Sequence, residues 1–388
     1  MPKYEVYATR WDDPHIIEEM LPARGLEFSM PLSDTGEAAF SASVEPGRSF
    51  WRPSIAPVVS GVLICRDDVP VWSGMVWAES QSGARTFDFQ CSEWMSFFER
   101  IPAVPATYKA VNDHAIVQDV FTRAMAVPGQ DPRIVVPSTR GAAVSDLTIN
   151  AWDDLTVDAV ARQQSEAEGG PEWCVVAGGT MENPIRSLLM ADRLGSLTPT
   201  AVLEYVEDTE LYKVPAGKPE LTMLGNLFPG QQPQAVVGRR GGNVIAHPAR
   251  QRDGASSATV VTAIGAGEEN AQLRASAVSP LIAAGYPRLT RSNTYQDVTV
   301  PATLQRHADA DLSAVAGLVT SYTLTTWDGD PDWSQVARGD MVRVILDTDA
   351  YGAERPVEFE ARVLGVAVRV QDNGPAQVNW TLSTTMED

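Results

Sequence analysis

The chain has 388 residues, of which 50 are acidic and 30 are basic, so its formal net charge is −20. This length exceeds what one hydrophobic core supports, and we expect roughly two to four domains. The negative charge argues against general affinity for nucleic acid or anionic lipid. Three cysteines without CxxC spacing encode neither a disulfide framework nor a zinc site. The sequence has no run of about 18 apolar residues, so we predict no membrane-spanning segment and no export signal.

Residues 1–102 have the pattern of an N-terminal β-barrel domain. Six short runs of β-branched and aromatic residues are separated by turn signals such as SDTG, and this density of strands predicts a small barrel or sandwich. Phe87, Phe89 and Cys91 alternate with polar residues, which predicts a strand with one buried face. Trp94–Phe98 continue at helical spacing. We interpret this aromatic segment as a plug for the barrel, because aromatic clusters of this kind are more often core than ligand site.

Residues 103–195 are predicted to form an α+β insert domain, because helical spacing replaces the alternation of strands. Apolar residues recur at helical positions in NDHAIVQDVFTRAMAV, behind a capping residue at Asn112 or Asp113. A second helix is predicted in DDLTVDAVARQQSEAEGG, where it ends at the glycine pair. The following PEWCVVAGG has the composition of a strand.

The rest of the sequence returns to a β pattern. Residues 196–303 are predicted as a β-rich second barrel region, with LFPGQQPQAVVGRRGG as an exposed loop within it. Residues 304–388 are predicted as a helix plus C-terminal β-strands that complete the second barrel, the helix lying within TLQRHADADLSAVAG. The sequence therefore predicts a β-rich α+β fold with a helix packed near the C-terminus.

The motifs most typical of enzymes are absent, since the sequence contains no HExxH, GxSxG, P-loop or CxxC. His114 lies in the first turn of a predicted helix and His307 on the polar side of another, and we expect both to be solvated or capping residues. Gly265 and Gly267 lack the third glycine of a dinucleotide fingerprint, because that position is Asn270. They predict a strand that ends in a glycine turn.

Three groups of charged residues resemble sites but have simpler explanations. DGDPD begins like a calcium loop, but Trp333 and Gly339 stand where glycine and glutamate are needed, so it predicts a polar turn. The acid pairs Asp12–Asp13 and Glu18–Glu19 are expected by chance in so acidic a chain. A basic cluster could bind phosphate or an acidic neighbouring subunit, although a solvated loop is the simpler explanation; it consists of Arg239, Arg240, Arg250 and Arg252.

We therefore assign no catalytic, cofactor-binding or metal-binding residue, and we predict that the protein is not an enzyme and uses no cofactor. An assembly protein needs many strands, large apolar faces and loops, but it does not need converging polar groups.

Several segments follow a characteristic order along nearly the whole chain. They are YEVYATR with LPARGLEFSMPLSDTGEAAFSASV, VPVWSGMVW with QSGARTFDFQCSEWMSFFERIPA, GGNVIAHPARQRDGASSATVVTAIGAGEENAQL, and PATLQRHADADLSAV with VARGDMVRVIL. In this order they resemble the tail-tip hub of long-tailed phages, a family of baseplate-hub-like minor tail proteins common in phages of actinobacteria. The sequence departs from the family pattern at residues 208–237, which form a longer segment. Residues 150–195 match the family pattern only in outline.

This resemblance implies two tail-tube-like β-barrel domains per chain and a homotrimer that presents six quasi-equivalent barrels. It implies a mechanical role at the tail tip of the virion, after synthesis in the host cytoplasm. The implied partners are the distal tail protein, the C-terminus of the tape-measure protein, and the tail fibre or receptor-binding proteins. DNA would pass through the channel transiently, without specific binding. Acidic walls would suit such a channel, because they repel phosphate groups and let the genome slide.

Two alternatives stay open at the level of sequence. One is a tail-associated hydrolase of peptidoglycan or polysaccharide, although the hub-like pattern leaves little room for a separate hydrolase domain. The other is a carbohydrate-binding module, which is suggested by tryptophans that could stack on sugar rings. They include Trp72, Trp77, Trp327 and Trp333.

Overall fold

The computed structural model describes residues 2–17, 20–43, 55–167, 169–207, 242–253, 257–267, 271–296, 298–315, 319–348, 356–372 and 374–383. Within these ranges the chain forms 21 strands and four α-helices. Thirteen of the strands join in a single sheet, and the others form three small sheets. Among the described residues, no helix combines the length and apolar character that crossing a bilayer requires.

Seven N-terminal strands form the first curved sheet. They are β1 (Tyr4–Arg10), β2 (Asp13–Ile16), β3 (Ala23–Pro31), β4 (Glu37–Ser43), β5 (Ser60–Arg66), β6 (Val69–Gln81) and β7 (Thr86–Glu93). All pairs are antiparallel, in the order β3-β4-β7-β6-β5-β1-β2. The predicted alternation in β7 is confirmed, because Phe87, Phe89 and Cys91 are each at most 3% exposed while Gln90 is exposed. This alternation places one face of the sheet in the core.

The interpretation of the aromatic segment as a barrel plug is wrong for its second half. Helix α1 (Met95–Phe98) packs with the core of the insert, whereas Phe87 and Phe89 belong to the core of the large sheet. The reason is that β7 ends at Glu93, after which the chain leaves the sheet. The aromatic side chains of α1 therefore pack between the core of the insert and the outer face of the first curved sheet.

The insert is a compact layer of short strands and two longer helices. Its elements are β8 (Ala106–Asn112), α2 (Asp113–Met125), β9 (Ile134–Val135), β10 (Val144–Ile149), α3 (Val157–Glu166), β11 (Glu172–Gly179) and β12 (Pro184–Ala191). Both predicted helices are present. Thr156 caps α3 by accepting a hydrogen bond from the backbone of Ala159. Buried apolar residues of α2 and α3 form one core with α1.

The C-terminal half contains the second curved sheet and a small layer beside it. Its elements are β13 (Ala201–Val206), β14 (Ala249–Asp253), β15 (Val260–Ile264), β16 (Arg274–Val278), β17 (Thr290–Thr294), α4 (Pro301–Val315), β18 (Val319–Trp327), β19 (Met341–Asp347), β20 (Val357–Arg369) and β21 (Gln377–Ser383). Strands β13, β19, β20, β21, β18 and β14 are neighbours in that order. Strands β15–β17 form a separate sheet covered by α4. The predicted helix near the C-terminus is thus present.

Two curved halves are present, but the described strands do not close into barrels. In the first half, a single bridge between Val6 and Leu21 connects β1 with the segment before β3. In the second half, Val244 pairs with Thr326 of β18, and its backbone N–H donates to the backbone oxygen of Glu204 in β13. In each half, the two edges of the sheet are therefore connected at one position, without a continuous ladder of hydrogen bonds.

The domain boundaries at residues 102, 195 and 303 stay predictions. The buried residues nevertheless fall into clusters: the large sheet holds one continuous core, the insert a second, and the α4 layer a third. The strand predicted in ELTML and the exposed loop predicted in LFPGQQPQAVVGRRGG lie outside the described residues, apart from Gly242 at the end of the loop.

Candidate functional site: the junction between the two curved sheets

The 13-stranded sheet is continuous from one curved half to the other, because β20 of the second half also pairs with β3 of the first. The N-terminal part of β20 pairs with β19, and its C-terminal residues Gly365–Arg369 pair with Glu27–Pro31 of β3. The same strand pairs with β21 along most of its length. Because backbone hydrogen bonds run from one half into the other, the two halves have one fixed orientation.

Arg338 joins the two sheets and the insert at a buried ion pair. Its Nη2 lies 2.8 Å from Oε1 of Glu93, at the end of β7, and 3.1 Å from the backbone oxygen of Val175 in the insert. Its Nη1 donates to the backbone oxygen of Pro31 at 3.1 Å. Glu93 also accepts from the backbone N–H of Gly36. Burial raises the pKa of Glu93 above its ordinary value, while Arg338 opposes the shift.

A second buried network lies where β1 meets the end of β18. Asp328 is fully buried at its side chain and accepts two hydrogen bonds from Arg66, at 2.9 and 3.1 Å. Tyr4 donates to Asp328 at 2.6 Å, and Trp333 donates to the hydroxyl of Tyr4 at 2.9 Å. Burial, together with the hydrogen bond to Asp328, raises the pKa of Tyr4 far above its usual range. This phenol therefore stays neutral and acts as a structural donor.

The insert is held to the second sheet by a bidentate ion pair. Arg362 of β20 donates to both carboxylate oxygens of Glu172 in β11, at 2.6 and 2.5 Å. Arg362 also donates to the backbone oxygens of Gly339 and Leu194. Two parallel hydrogen bonds fix the angle between the two groups as well as their separation.

Arg186 of β12 holds the insert to the first sheet. Its guanidinium is 1% exposed and donates to the backbone oxygens of Trp11 and Pro132 at 2.7 Å and to that of Arg10 at 2.7 Å. Its Cζ lies 3.7 Å from the ring centroid of Trp94. Burial lowers the pKa of Arg186 to about 9, so it remains charged at neutral pH.

A cavity of about 500 Å³ lies where the first curved sheet, the second curved sheet and the insert meet. Apolar side chains line much of it, among them Met30, Val71, Val176 and Val366. The two arginines at the cavity, Arg66 and Arg338, are already paired with carboxylates. Cys174 also lines the cavity, but burial raises the pKa of its thiol. The cavity therefore lacks an activated nucleophile among these lining groups.

The prediction that His114 and His307 are solvated or capping residues is wrong, because both are buried. His114 is 2% exposed and lies between Thr139 and Asp192, at 2.9 Å from each. His307 is 1% exposed and stacks on Tyr295 with ring centroids 4.2 Å apart. His307 lies on the buried side of α4 with Leu304 and Ala308, not on the predicted polar side. Segments distant in sequence cover both imidazoles. Thr139 and Asp192 tie the loop before β10 and the end of β12 to α2.

The other sequence motifs have structural roles where they are described. Strand β15 ends just before Gly265, and Gly267 has a φ of +118°, which confirms the glycine turn. DGDPD forms the turn after β18, in which Asp328 pairs with Arg66. Arg239 and Arg240 lie outside the described residues, whereas Arg250 is exposed on β14, the strand that also contains Arg252. No group of three or more metal-ligating side chains is assembled within the described ranges.

The tryptophans suggested for sugar binding are mostly structural. Trp72 and Trp333 are at most 4% exposed and belong to the core of the large sheet. Trp77 is partly buried, donates to Ser96 and lies under Arg100 at 4.0 Å. Trp327 is 37% exposed. These four rings do not present a common exposed face, because two of them are enclosed.

Sequence reasoning missed the four arginines at the junction. For Arg186 a signal existed, because it alternates with Pro184, Leu188 and Met190 on the buried face of β12. A lone arginine at a core position of a strand indicates a buried polar network. For Arg338 and Arg362 no local signal exists, because their partners lie 245 and 190 residues away.

The sequence matches no protein-family model and no curated protein. Several solved structures are similar in fold. A tail protein from Neisseria meningitidis MC58 aligns over 98% of this chain and 97% of its own, at 13% identity and a TM-score of 0.56. The 43 kDa tail protein of prophage MuSo2 from Shewanella oneidensis aligns over 98% of both chains, at 12% identity and a TM-score of 0.56.

A third similar structure is the prophage tail protein gp18 from Listeria monocytogenes EGD-e. It aligns over 99% of this chain and 95% of its own, at 11% identity and a TM-score of 0.52. The alignments include both curved sheets and the insert, since they extend over almost the entire chain. The chain therefore has the fold of phage tail proteins.

Proposed function

We propose that the protein is a structural subunit of a phage tail tip, a baseplate-hub-like minor tail protein of a long-tailed phage of actinobacteria. The observation that carries this proposal is the pair of curved sheets that are joined through β20, in a chain whose fold matches phage tail proteins over nearly its full length. Continuous pairing makes the two halves one rigid unit. A rigid pair of barrel-like units is what a subunit needs if three copies are to form a ring of six.

In this proposal three copies form a homotrimer around the tail axis. The six barrel-like halves would adapt the sixfold symmetry of the tail tube to the threefold symmetry of the tip. The trimer would join the tube and the distal tail protein to the fibre or receptor-binding proteins, and it would meet the C-terminus of the tape-measure protein. It would be made in the host cytoplasm and retained at the tail tip of the virion.

The proposed ring also encloses part of the DNA channel. The chain carries 50 acidic and 30 basic residues, and acidic walls repel the phosphates of passing DNA. The channel surface is therefore expected to be acidic. A channel lined by neutral or basic side chains would contradict this part of the proposal.

We propose a mechanical role without catalysis. The polar clusters described above connect elements of the fold, and their carboxylates and arginines are already paired with each other. Purified protein is expected to leave the turbidity of a cell-wall suspension unchanged. A fall in turbidity that a heat-denatured sample does not cause would instead favour a tail-associated hydrolase.

The location of the protein in the virion tests the proposal. Antibodies raised against the purified chain are used to label intact virions for immunogold electron microscopy. Gold particles are expected at the distal end of the tail. Labelling along the whole tube, or at the head end of the tail alone, would contradict the proposed position.

A further inference from the structure

The cavity at the junction has a wall of apolar side chains that stays partly exposed. Its volume of about 500 Å³ lies within the range of roughly 300 to 1,000 Å³ that is usual for binding pockets. Two of the side chains that line it, Val69 of β6 and Leu189 of β12, are 57% and 43% exposed. Cys174 and Val176 of β11 lie on the same face of the insert as Leu189, because Cys174 pairs directly with Leu189. The described residues therefore leave room for further apolar contacts in this cavity.

The backbone of β11 is free along part of its outer side. In the sheet β11-β12-β9 this strand is an edge. Thr180 and Asn183 exchange backbone hydrogen bonds at the turn to β12, so the even-numbered residues of β11 bond β12 and the odd-numbered residues point their backbone groups away from it. Two odd-numbered residues have partners on that side. Trp173 is bonded to Ser33, and the backbone oxygen of Val175 accepts from Arg338.

Ala177 is the next odd-numbered residue of β11, and it lines the cavity. Neither its backbone N–H nor its backbone oxygen has a hydrogen-bond partner among the residues that the structure describes. An extended peptide beside β11 would supply both an acceptor and a donor at the spacing of a strand. The free edge therefore points to a polypeptide as the occupant of the cavity.

The two arginines at the cavity do not favour an acidic occupant, because carboxylates of the chain already compensate their charges. Arg338 is paired with Glu93 at 2.8 Å. Arg66 lies 2.9 Å from Asp328 and 3.2 Å from Asp332. An acidic peptide would have to displace one of these carboxylates.

Asp67 adds a carboxylate without a cationic partner to the lining of the cavity. It is exposed in the turn between β5 and β6, and within the described ranges its side chain accepts a hydrogen bond only from the backbone N–H of Lys3. The ammonium group of Lys3 is itself paired with Glu5. Arg193 donates to the backbone oxygen of Gly195 beside the cavity, but it does not line it. A lysine or arginine of the occupant would therefore be complementary to Asp67.

We propose that this cavity is the docking site for an extended segment of a partner protein, in which apolar and basic side chains alternate. The segment adds to the edge of β11 at Ala177, places apolar side chains against Val69, Val176 and Leu189, and places a basic side chain beside Asp67. The inference goes beyond the proposed function and does not depend on the position of the protein in a virion. Because both curved sheets and the insert border the cavity, the segment would contact all three.

Synthetic peptides test the chemistry of the occupant. The probe is a fluorescein-labelled peptide of alternating valine and lysine, and its binding to the full chain is followed by fluorescence anisotropy. We expect saturable binding with a dissociation constant below about 1 mM. One control peptide has glutamate in place of lysine, and a second has N-methyl groups on all its backbone nitrogens, which removes the donors of an added strand. Both are expected to bind at least about tenfold more weakly.

Variants of the protein test the position of the site. Leu189→Lys places a charge in the cavity, and Ile185→Lys is its matched control, because Ile185 is 38% exposed on the same face of β12 but does not line the cavity. Asp67→Asn removes the free carboxylate, and Asp154→Asn is its control at an exposed aspartate with a similar φ, +50° against +49°. We expect Leu189→Lys to weaken binding at least about tenfold, Asp67→Asn about threefold, and the controls less than about twofold. Val69→Lys, at a second exposed position of the lining, should act like Leu189→Lys, and circular dichroism verifies that each variant is folded.

Four results would overturn the proposal. Equal weakening by Leu189→Lys and Ile185→Lys would show that the peptide responds only to the net charge of the protein. An N-methylated peptide that binds as tightly as the probe would exclude an added strand, and a wild-type chain that shows no saturable binding up to about 1 mM would exclude the site. If Leu189→Lys lowers the mass of the protein in light scattering while Ile185→Lys does not, a second copy of the chain occupies the cavity instead.

Discussion

Glu93 and Arg338 are both nearly buried, so the charge of each side chain is compensated by the charge of the other. Their side chains are 3% and 9% exposed. Glu93→Gln leaves the guanidinium buried beside a neutral group, and we expect the free energy of unfolding to fall by about 3 to 5 kcal/mol. Chemical denaturation measures the loss. The control is Glu358→Gln, which removes an exposed pair with Arg343 and should change stability by at most about 1 kcal/mol. Equal effects would contradict a buried junction.

His307 makes the stability of the α4 layer depend on pH. Burial lowers its pKa to about 4 from an ordinary value of 6.5, because its buried site disfavours the imidazolium. The unfolded state therefore binds more protons between these values, so stabilisation is fully present above pH 6.5 and is lost as the pH falls toward 4. The full shift corresponds to about 3 kcal/mol.

Amide exchange of α4, corrected for the intrinsic rate at each pH, measures this loss of protection. In His307→Phe the dependence on pH between 6.5 and 4 should largely disappear, because phenylalanine has no proton to bind. His15→Gln is the control, since His15 is exposed beside Asp13, and it should retain the wild-type dependence. An unchanged profile in His307→Phe would show that another group causes the effect.

Arg186 is a donor that lysine cannot replace. Its guanidinium donates to several backbone oxygens in the first sheet and the insert, whereas an ammonium group has only three donors and no planar face for Trp94. We expect Arg186→Lys to lower the free energy of unfolding by about 2 to 4 kcal/mol. Arg133→Lys, at a guanidinium that is 65% exposed, should be close to neutral. Chemical denaturation of both variants makes the comparison, and a neutral Arg186→Lys would contradict the role of this arginine.

Among the elements, β7 tests the assignment of buried and exposed faces. Phe89 is 1% exposed and stacks on Phe40 of β4, with ring centroids 5.2 Å apart. Phe89→Asp buries a charge without a partner, so we expect a loss of several kcal/mol and unfolding of the first curved sheet. Gln90→Asp introduces the same side chain one residue later, on the exposed face, and should be tolerated. Circular dichroism during heating measures both, and similar melting temperatures would contradict the face assignment.

Elements with a local pattern could be predicted from the sequence, and elements defined by distant contacts could not. The alternation around Phe89 and the helical spacing around Val117 each identify a buried face by themselves. The short helix after Glu93 was also predicted, but its packing partner was not, because α2 and α3 come later in the chain. The burial of His114 and His307 was missed for the same reason.

For the whole molecule, the order of strands and helices was largely recoverable, but the junction was not. Period-two patterns indicated two β-rich halves around an insert, and the fold of phage tail proteins has this arrangement. The two halves are joined through β20 because Gly365–Arg369 pair in register with Glu27–Pro31. Residues more than 300 positions apart carry no mutual signal in a single sequence. The described strands do not close into barrels for the same reason, since closure depends on how distant strands meet.

In the proposed hub, three copies of this chain place six barrel-like halves around a channel. Electron cryomicroscopy of the distal end of isolated tails, reconstructed without imposed symmetry, tests this arrangement. We expect three copies of the chain, with alternating first and second curved sheets around an open or closed axial channel lined by acidic side chains. A single copy, six copies, or three copies whose curved sheets lie away from the axis would contradict it.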